Sequence, residues 1–300
     1  MGPKRLTLSL MIVSLTACQV GDSGDDGAAA PGQATDLAGA TIEHANVLID
    51  LWADGTAAFG IFVPDERPRT EEQRRRGERT AAVYTREGGE RLAQNPLYDF
   101  LFLNLEGGYD VAAVGAIVEG LRSPIARGRK TLLVRIPPLE RDGEDVARAR
   151  VREILRLGAD GVVFPHVRSP DEARTVVSLF ADVGADVWSP ANPSGEVLAM
   201  IMLEDPGAVA AVEQIADTPG YSLLACGIGS LRGALDGDRE AAEARNQEVL
   251  AHARRVGLPD MITANAGDIE ERIQEGFLAL LMQGDEADEV IRIGRAAAGR

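Results

Sequence analysis

ARARVREILRLGADGVVFPHVRSPDEARTVVSLFADVG, residues 147–184, changes period twice. Residues 147–158 carry apolar side chains at helical spacing and end on Gly158. Residues 160–165, DGVVFP, form a short apolar run closed by a proline. Residues 171–184 return to the helical period. A buried strand with a helix on either side pairs in parallel with strands reached through the same kind of crossover.

The same alternation extends in both directions. Apolar runs stand at AAFGIFV (57–63), YDFLFLN (98–104), TLLVRI (131–136), VLAMIML (197–203), SLLACGI (222–228), DMITA (260–264) and FLALLM (277–282). Helical patterns separate them, among them DPGAVAAVEQIAD (205–217) and EARNQEVLAHARRVG (243–257). Eight strand–helix units in about 260 residues is the size of an α/β (β/α)8 TIM barrel. An open doubly wound sheet would need a glycine-rich phosphate turn after its first strand. The residues there are VPDERP (63–68). A barrel over residues 41–300 is therefore expected.

The amino terminus reads as an address. Lys4 and Arg5 precede an apolar stretch, Leu6 to Thr16, that is too short to span a bilayer and fits a signal peptide. It ends in Leu15-Thr16-Ala17-Cys18, which resembles a bacterial lipobox, so residues 1–18 are expected to be a lipoprotein signal with Cys18 the lipidated residue. Gln19 rather than aspartate follows it, which points to the outer membrane, on its periplasmic side. Acyl chains contribute about 0.8 kcal/mol for each buried methylene. Residues 19–40 are rich in Gly, Ala, Asp and Pro and read as a flexible tether.

Composition narrows the partners. Acidic residues outnumber basic ones 47 to 31, a net charge of −16, and processing at Cys18 would take it to about −18. Such a surface repels phosphate backbones, and 4% aromatics leave little for base stacking, so nucleic acid is excluded as a partner. Two cysteines cannot form a disulfide framework or a four-cysteine zinc site, and Cys226, inside an apolar run, reads as an inert core thiol.

In a barrel, chemistry sits at the carboxyl ends of the strands. The polar residues there are Asn104 and Glu106, Arg135, His166, Glu204, Ser230 and Arg232. Arg135 inside TLLVRIPP and Glu204 directly after VLAMIML need explaining, because an unpaired buried charge is costly. They are either a structural ion pair or strand-end groups facing solvent, or else part of a site. His166 reads as a loop or helix-cap residue, or as a base. His44, placed in a first helix, and His252, on a surface-type helix, lie away from that face.

The strand ends resemble the HpcH/HpaI aldolase and citrate lyase family. The resemblance runs from about Ala45 to Gly284 through FLFLNLEGG (100–108), LLVRIP (132–137), LRLGADGVVFPHVRSPDEA (155–173), MIMLEDPGAV (200–209), CGIGSL (226–231) and EGFLALLMQGD (275–285). It implies an aldolase-type lyase that makes or breaks a carbon–carbon bond on a 2-oxo acid through a metal-stabilised enolate, with Mg²⁺ or Mn²⁺, or Co²⁺, as the cofactor. By matching position, Arg135 is the catalytic partner of the enolate oxygen and binds substrate. Glu204 is the metal ligand, Glu106 the catalytic glutamate beside it, and Ser230 a substrate-binding group. Relatives exchange a terminal helix between subunits, which implies a homo-oligomer. The chain departs from the family pattern at Gly107, in place of a histidine, and at Arg156, in place of its aspartate partner. It departs again at Met202, in place of a glutamine, and at Ser230, in place of a second metal aspartate. The alternative is a lipid-anchored binding or scaffold protein that keeps the barrel without its chemistry. Residues 64–95 form a long first connection; they read either as a lid, with Arg74 to Arg76 attracting an anion, or as a charged surface helix.

Overall fold

The computed structural model describes residues 43–67, 70–77 and 81–300, without the side chain of Arg74. The segments expected to be a signal peptide and a tether, with Cys18 between them, lie outside the described residues. Eight strands follow one another in the chain: β1 Ala58–Phe62, β2 Phe100–Asn104, β3 Thr131–Arg135, β4 Gly161–Phe164, β5 Leu198–Leu203, β6 Leu223–Cys226, β7 Asp260–Thr263 and β8 Ala279–Met282. They close in sequence order, every pair parallel, into the expected barrel.

The described helices begin with α1 Val47–Ala53, α2 Glu71–Arg75, α3 Arg86–Gln94, α4 Val111–Leu121, α5 Leu139–Asp142, α6 Glu144–Leu157 and α7 Pro170–Asp182. They continue with α8 Pro206–Ala210, α9 Val212–Ala216, α10 Ile228–Ala234, α11 Arg239–Arg255, α12 Ile269–Glu275 and α13 Ala287–Ala297. Local chemistry sets their starts. Asp110, Ser169, Asp205 and Asp238 each accept a backbone N–H from the first turn of the helix that follows. The helix expected over 205–217 is two short ones, interrupted at Ala211.

Strand period sorts the core into two bodies. Alternate residues such as Phe100, Phe102, Leu133, Met200, Ala225 and Leu281 fill the barrel, and their neighbours pack outward against the helices. Gly60 is required inside: a Cβ there would stand 2.5 Å from the ring of Phe100, its partner on β2. The amino-terminal end is plugged by α1. Leu48 and Ile49 are fully buried, Trp52 donates from Nε1 to the Leu278 carbonyl at 2.9 Å, and its ring centroid lies 6.0 Å from that of Trp188. His44 precedes α1 instead of lying in it; it is buried at this same end, with Nδ1 3.3 Å from Glu196.

The last helix closes the outside of its own barrel. Arg295 and Arg300 both pair with Asp99 at 2.7 Å, and Gly294 allows the close approach of Ile269 and Phe59. Arg300 also donates to the Ala57 carbonyl. The first connection folds back on itself: Glu66 accepts from the backbone and hydroxyl of Thr85 and from Arg91. None of its described residues lines the cavity at the barrel mouth.

Candidate active site

Period-two alternation along β3 turns Thr131, Leu133 and Arg135 inward, and along β5 it does the same for Met200 and Met202. Glu204, one residue past β5, keeps that phase. Both charges therefore point into the carboxyl-terminal mouth, where Arg135 Nη2 donates to Glu204 Oε2 at 2.8 Å. Arg135 is 9% exposed and Glu204 3%. The pairing anticipated as a structural ion pair exists, and it sits in the wall of a cavity of about 270 Å³.

Two further groups join it. Glu106 Oε1 lies 3.0 Å from the same Arg135 nitrogen. Its position is held locally: Asn104 Oδ1 accepts the Glu106 N–H at 3.2 Å, and Arg141 donates to the Glu106 carbonyl at 3.0 Å. His166 Nε2 stands 2.9 Å from Glu106 Oε1 and 3.5 Å from Glu204 Oε2. The backbone N–H of His166 donates to Glu204 at 3.1 Å. That contact depends on an unusual backbone, because His166 has φ 55°, in the left-handed region disfavoured by a side chain. The helix cap is Ser169, so His166 is not the cap that the sequence allowed.

Gly227, directly after β6, is the fifth member. A Cβ on it would stand 2.5 Å from Glu204 Cγ and Oε1, so only glycine leaves the carboxylate its place. Ser230 lies on α10, exposed to solvent, and lines the same cavity as Arg135 and Glu204. Arg232 and Arg156 are exposed and do not line it. Gly107 has no atom within 4 Å of a built Cβ, so the place of the family histidine is open space. Cys226 is a buried free thiol, pushed above its ordinary range by burial. His252, on α11, is outside the cluster.

The donor set suits a cation. One ligand atom from each of Glu106, His166 and Glu204 lies within 4.8 Å of the others, so two carboxylates and an imidazole converge. Their summed charge, with Arg135 included and the imidazole neutral, is negative. Hard carboxylate oxygens fit Mg²⁺ or Mn²⁺, and the nitrogen extends the fit to later transition ions such as Co²⁺. Arg135 Nη2 holds the same two carboxylates and would share them with the ion.

A family model described as HpcH/HpaI aldolase/citrate lyase matches residues 93–284, well over half of the chain. The chain belongs to the HpcH/HpaI aldolase/citrate lyase family. Solved structures of similar fold include an HpcH/HpaI family protein from Burkholderia cenocepacia J2315, 22% identical. Its TM-score is 0.60, and the match covers 85% of this chain and 98% of that one. An HpcH/HpaI aldolase from Desulfitobacterium hafniense DCB-2 is 19% identical with a TM-score of 0.57, covering 83% and 95%. CitE from Mycobacterium tuberculosis, solved with magnesium, acetoacetate and coenzyme A, is 17% identical with a TM-score of 0.52, covering 81% of each chain. No curated protein matches the chain in sequence. Within the family barrel, then, the mouth holds Arg135, Glu204 and Glu106 together, with Ser230 on the cavity wall. It adds His166, one of the strand-end residues that the sequence offered as a base, and Gly227, which the sequence did not single out.

Proposed function

We propose that this chain is a lyase of the aldolase type, cleaving or forming the carbon–carbon bond between the third and fourth carbons of a 2-oxo acid. One observation carries the reading: a guanidinium from β3 and carboxylates that follow β2 and β5 converge at the carboxyl end of the barrel, on a cavity that can admit a small acid. The keto oxygen gains negative charge as the C3–C4 bond breaks: its electron pair becomes the C2–C3 double bond of an enolate, while a C4 hydroxyl gives up its proton and becomes a carbonyl. Arg135, itself about nine-tenths buried, donates to that oxygen, and a fixed donor shielded from water is most effective there. Glu204 and Glu106 would hold a divalent ion, with His166 completing the set; when bound, the ion supplies Lewis-acid stabilisation of the same charge. Glu106 Oε1 and His166 Nε2, 2.9 Å apart, are the groups at the mouth able to pass a proton to or from the substrate.

The scaffold reading draws on Gly107, Arg156 and Ser230, which leave the family's histidine, aspartate and second metal carboxylate unfilled. Two measurements separate the readings. Calorimetric titration with Mn²⁺ should show binding to the wild type that is lost in Glu204→Ala and Glu204→Gln. The pyruvate methyl group should exchange with deuterium in the presence of metal and protein. A wild type that neither binds the ion nor promotes exchange makes the chain a scaffold. Anchoring through Cys18 belongs to the same proposal, and Cys18→Ser should move the protein from the membrane to the soluble fraction.

A further inference from the structure

The mouth has two unlike sides. Beyond His166 an open cleft of about 440 Å³ is bordered by Glu140, Arg141 and Arg168. On the other side the cavity of about 270 Å³, just below the roughly 300–1,000 Å³ of small-molecule pockets, descends between the strands. Its wall is the top inward layer of six of them: Phe62, Phe102, Met202, Ala225, Met261 and Leu281. Phe62 and Phe102 meet edge to face, with centroids 5.2 Å apart. Arg135 and Glu204 are the charged residues of the lining, and they already pair with each other. Its neutral polar groups are Ser230 on α10, Thr263 at the end of β7 and Gln283 directly after β8.

A 2-oxo acid whose keto oxygen and carboxylate face Arg135 meets this apolar wall with the substituent on its third carbon. Pyruvate has only a methyl group to offer it. We infer that the site selects 2-oxo acids carrying an uncharged branched or aromatic group beyond C3, and rejects those carrying a second carboxylate there. The inference rests on the 2-oxo acid reading above. Each buried methylene is worth about a fourfold gain in affinity. A second carboxylate directed at the wall would lose its water without meeting a cation, because the one guanidinium is engaged. Met202 stands where the resemblance leads one to expect glutamine, and it turns a polar wall position into an apolar one.

Calorimetric titration of the full chain, with Mn²⁺ present, tests this with pyruvate, 4-methyl-2-oxopentanoate and 2-oxoglutarate. The expected result is that 4-methyl-2-oxopentanoate binds at least tenfold more tightly than pyruvate, and 2-oxoglutarate no more tightly than pyruvate. Met202→Gln should narrow the tenfold gap to threefold or less. Ala225→Val, which shortens the cavity without adding polarity, should narrow it too, and circular dichroism checks that each variant is folded. Equal binding of pyruvate and 4-methyl-2-oxopentanoate, or tightest binding of 2-oxoglutarate, overturns the inference and leaves the 2-oxo acid reading standing. A gap that survives both substitutions overturns the assignment to this wall. Failure of all three acids to bind overturns the reading and the inference together.

Discussion

His166 shows how a single backbone angle can build a site. Its φ of 55° aims the N–H at Glu204 while the ring reaches Glu106, so one residue touches both carboxylates. A left-handed conformation disfavours a Cβ by about 1–2 kcal/mol, a penalty glycine escapes. His166→Gly should therefore be more stable than His166→Ala by about 1 kcal/mol, read by urea denaturation. Both should lose deuterium exchange into pyruvate alike, since both lack the ring. An alanine variant as stable as the glycine variant would show that the conformation carries no strain. Arg135 has a comparable tension, because its Nε is buried without a partner while Nη2 serves two carboxylates. Breaking such a pair strands a charge, at about 3–5 kcal/mol. Glu204→Gln, which keeps the shape, is accordingly the informative partner to Glu204→Ala.

Among the elements, α11 and α12 are joined by charge. Arg272 donates to both oxygens of Glu243, at 2.6 and 2.7 Å, and also to Glu275. The hydrogen bonds from Arg272 hold the Glu243 carboxyl down at about 2, against an ordinary 4.5. The unfolded chain binds the proton first as the solution is acidified, so this contribution is complete above about pH 4.5. It fades as the pH falls toward 2. The glutamate is about one-third exposed, and solvent screening reduces the effect to about 1–2 kcal/mol at pH 7. Glu243→Gln should lose that amount at neutral pH and show a shallower decline in stability between pH 4.5 and 2. Parallel pH profiles for the two proteins would refute the assignment. Asp260 at the start of β7 behaves in the opposite sense: burial pushes its carboxyl well up, and the Met261 backbone N–H offsets this only in part.

Over the whole molecule, the two ends of the barrel divide the labour. The carboxyl-terminal mouth gathers Arg135, Glu204, Glu106 and His166, whereas the amino-terminal end is stoppered by α1, with Trp52 against Trp188. These are the two tryptophans of the chain, so intrinsic fluorescence reports the stopper and not the mouth. Trp52→Ala removes a ring that is 5% exposed and its hydrogen bond to Leu278, and should cost about 3–5 kcal/mol. Denaturation followed by circular dichroism measures this. Mn²⁺ affinity, measured by calorimetry, should remain within about twofold, because the ligands stand at the other end. A large loss of Mn²⁺ binding would mean that the two ends are coupled.

The barrel was legible in the sequence because strand and helix periods are local. The run 160–165 can bury both faces only with helices before and after it, and repeating that unit eight times leaves closure as the economical answer. Arg135 and Glu204 were legible as anomalies, since a charge inside or directly after an apolar strand demands a partner. Their meeting at 2.8 Å was a matter of register between β3, β4 and β5, and register is a property of paired strands. His166 was visible as a residue after β4, but a positive φ leaves no mark on the amino-acid pattern when the residue is not glycine. Gly227 carries no mark of its role within the run 222–228, because only the folded chain brings the Glu204 side chain against it. The sequence by itself determined the period of each element and therefore the architecture. The tertiary structure alone decided which strand ends face one another across the mouth, because distances between residues far apart in the chain arise only when the sheet closes.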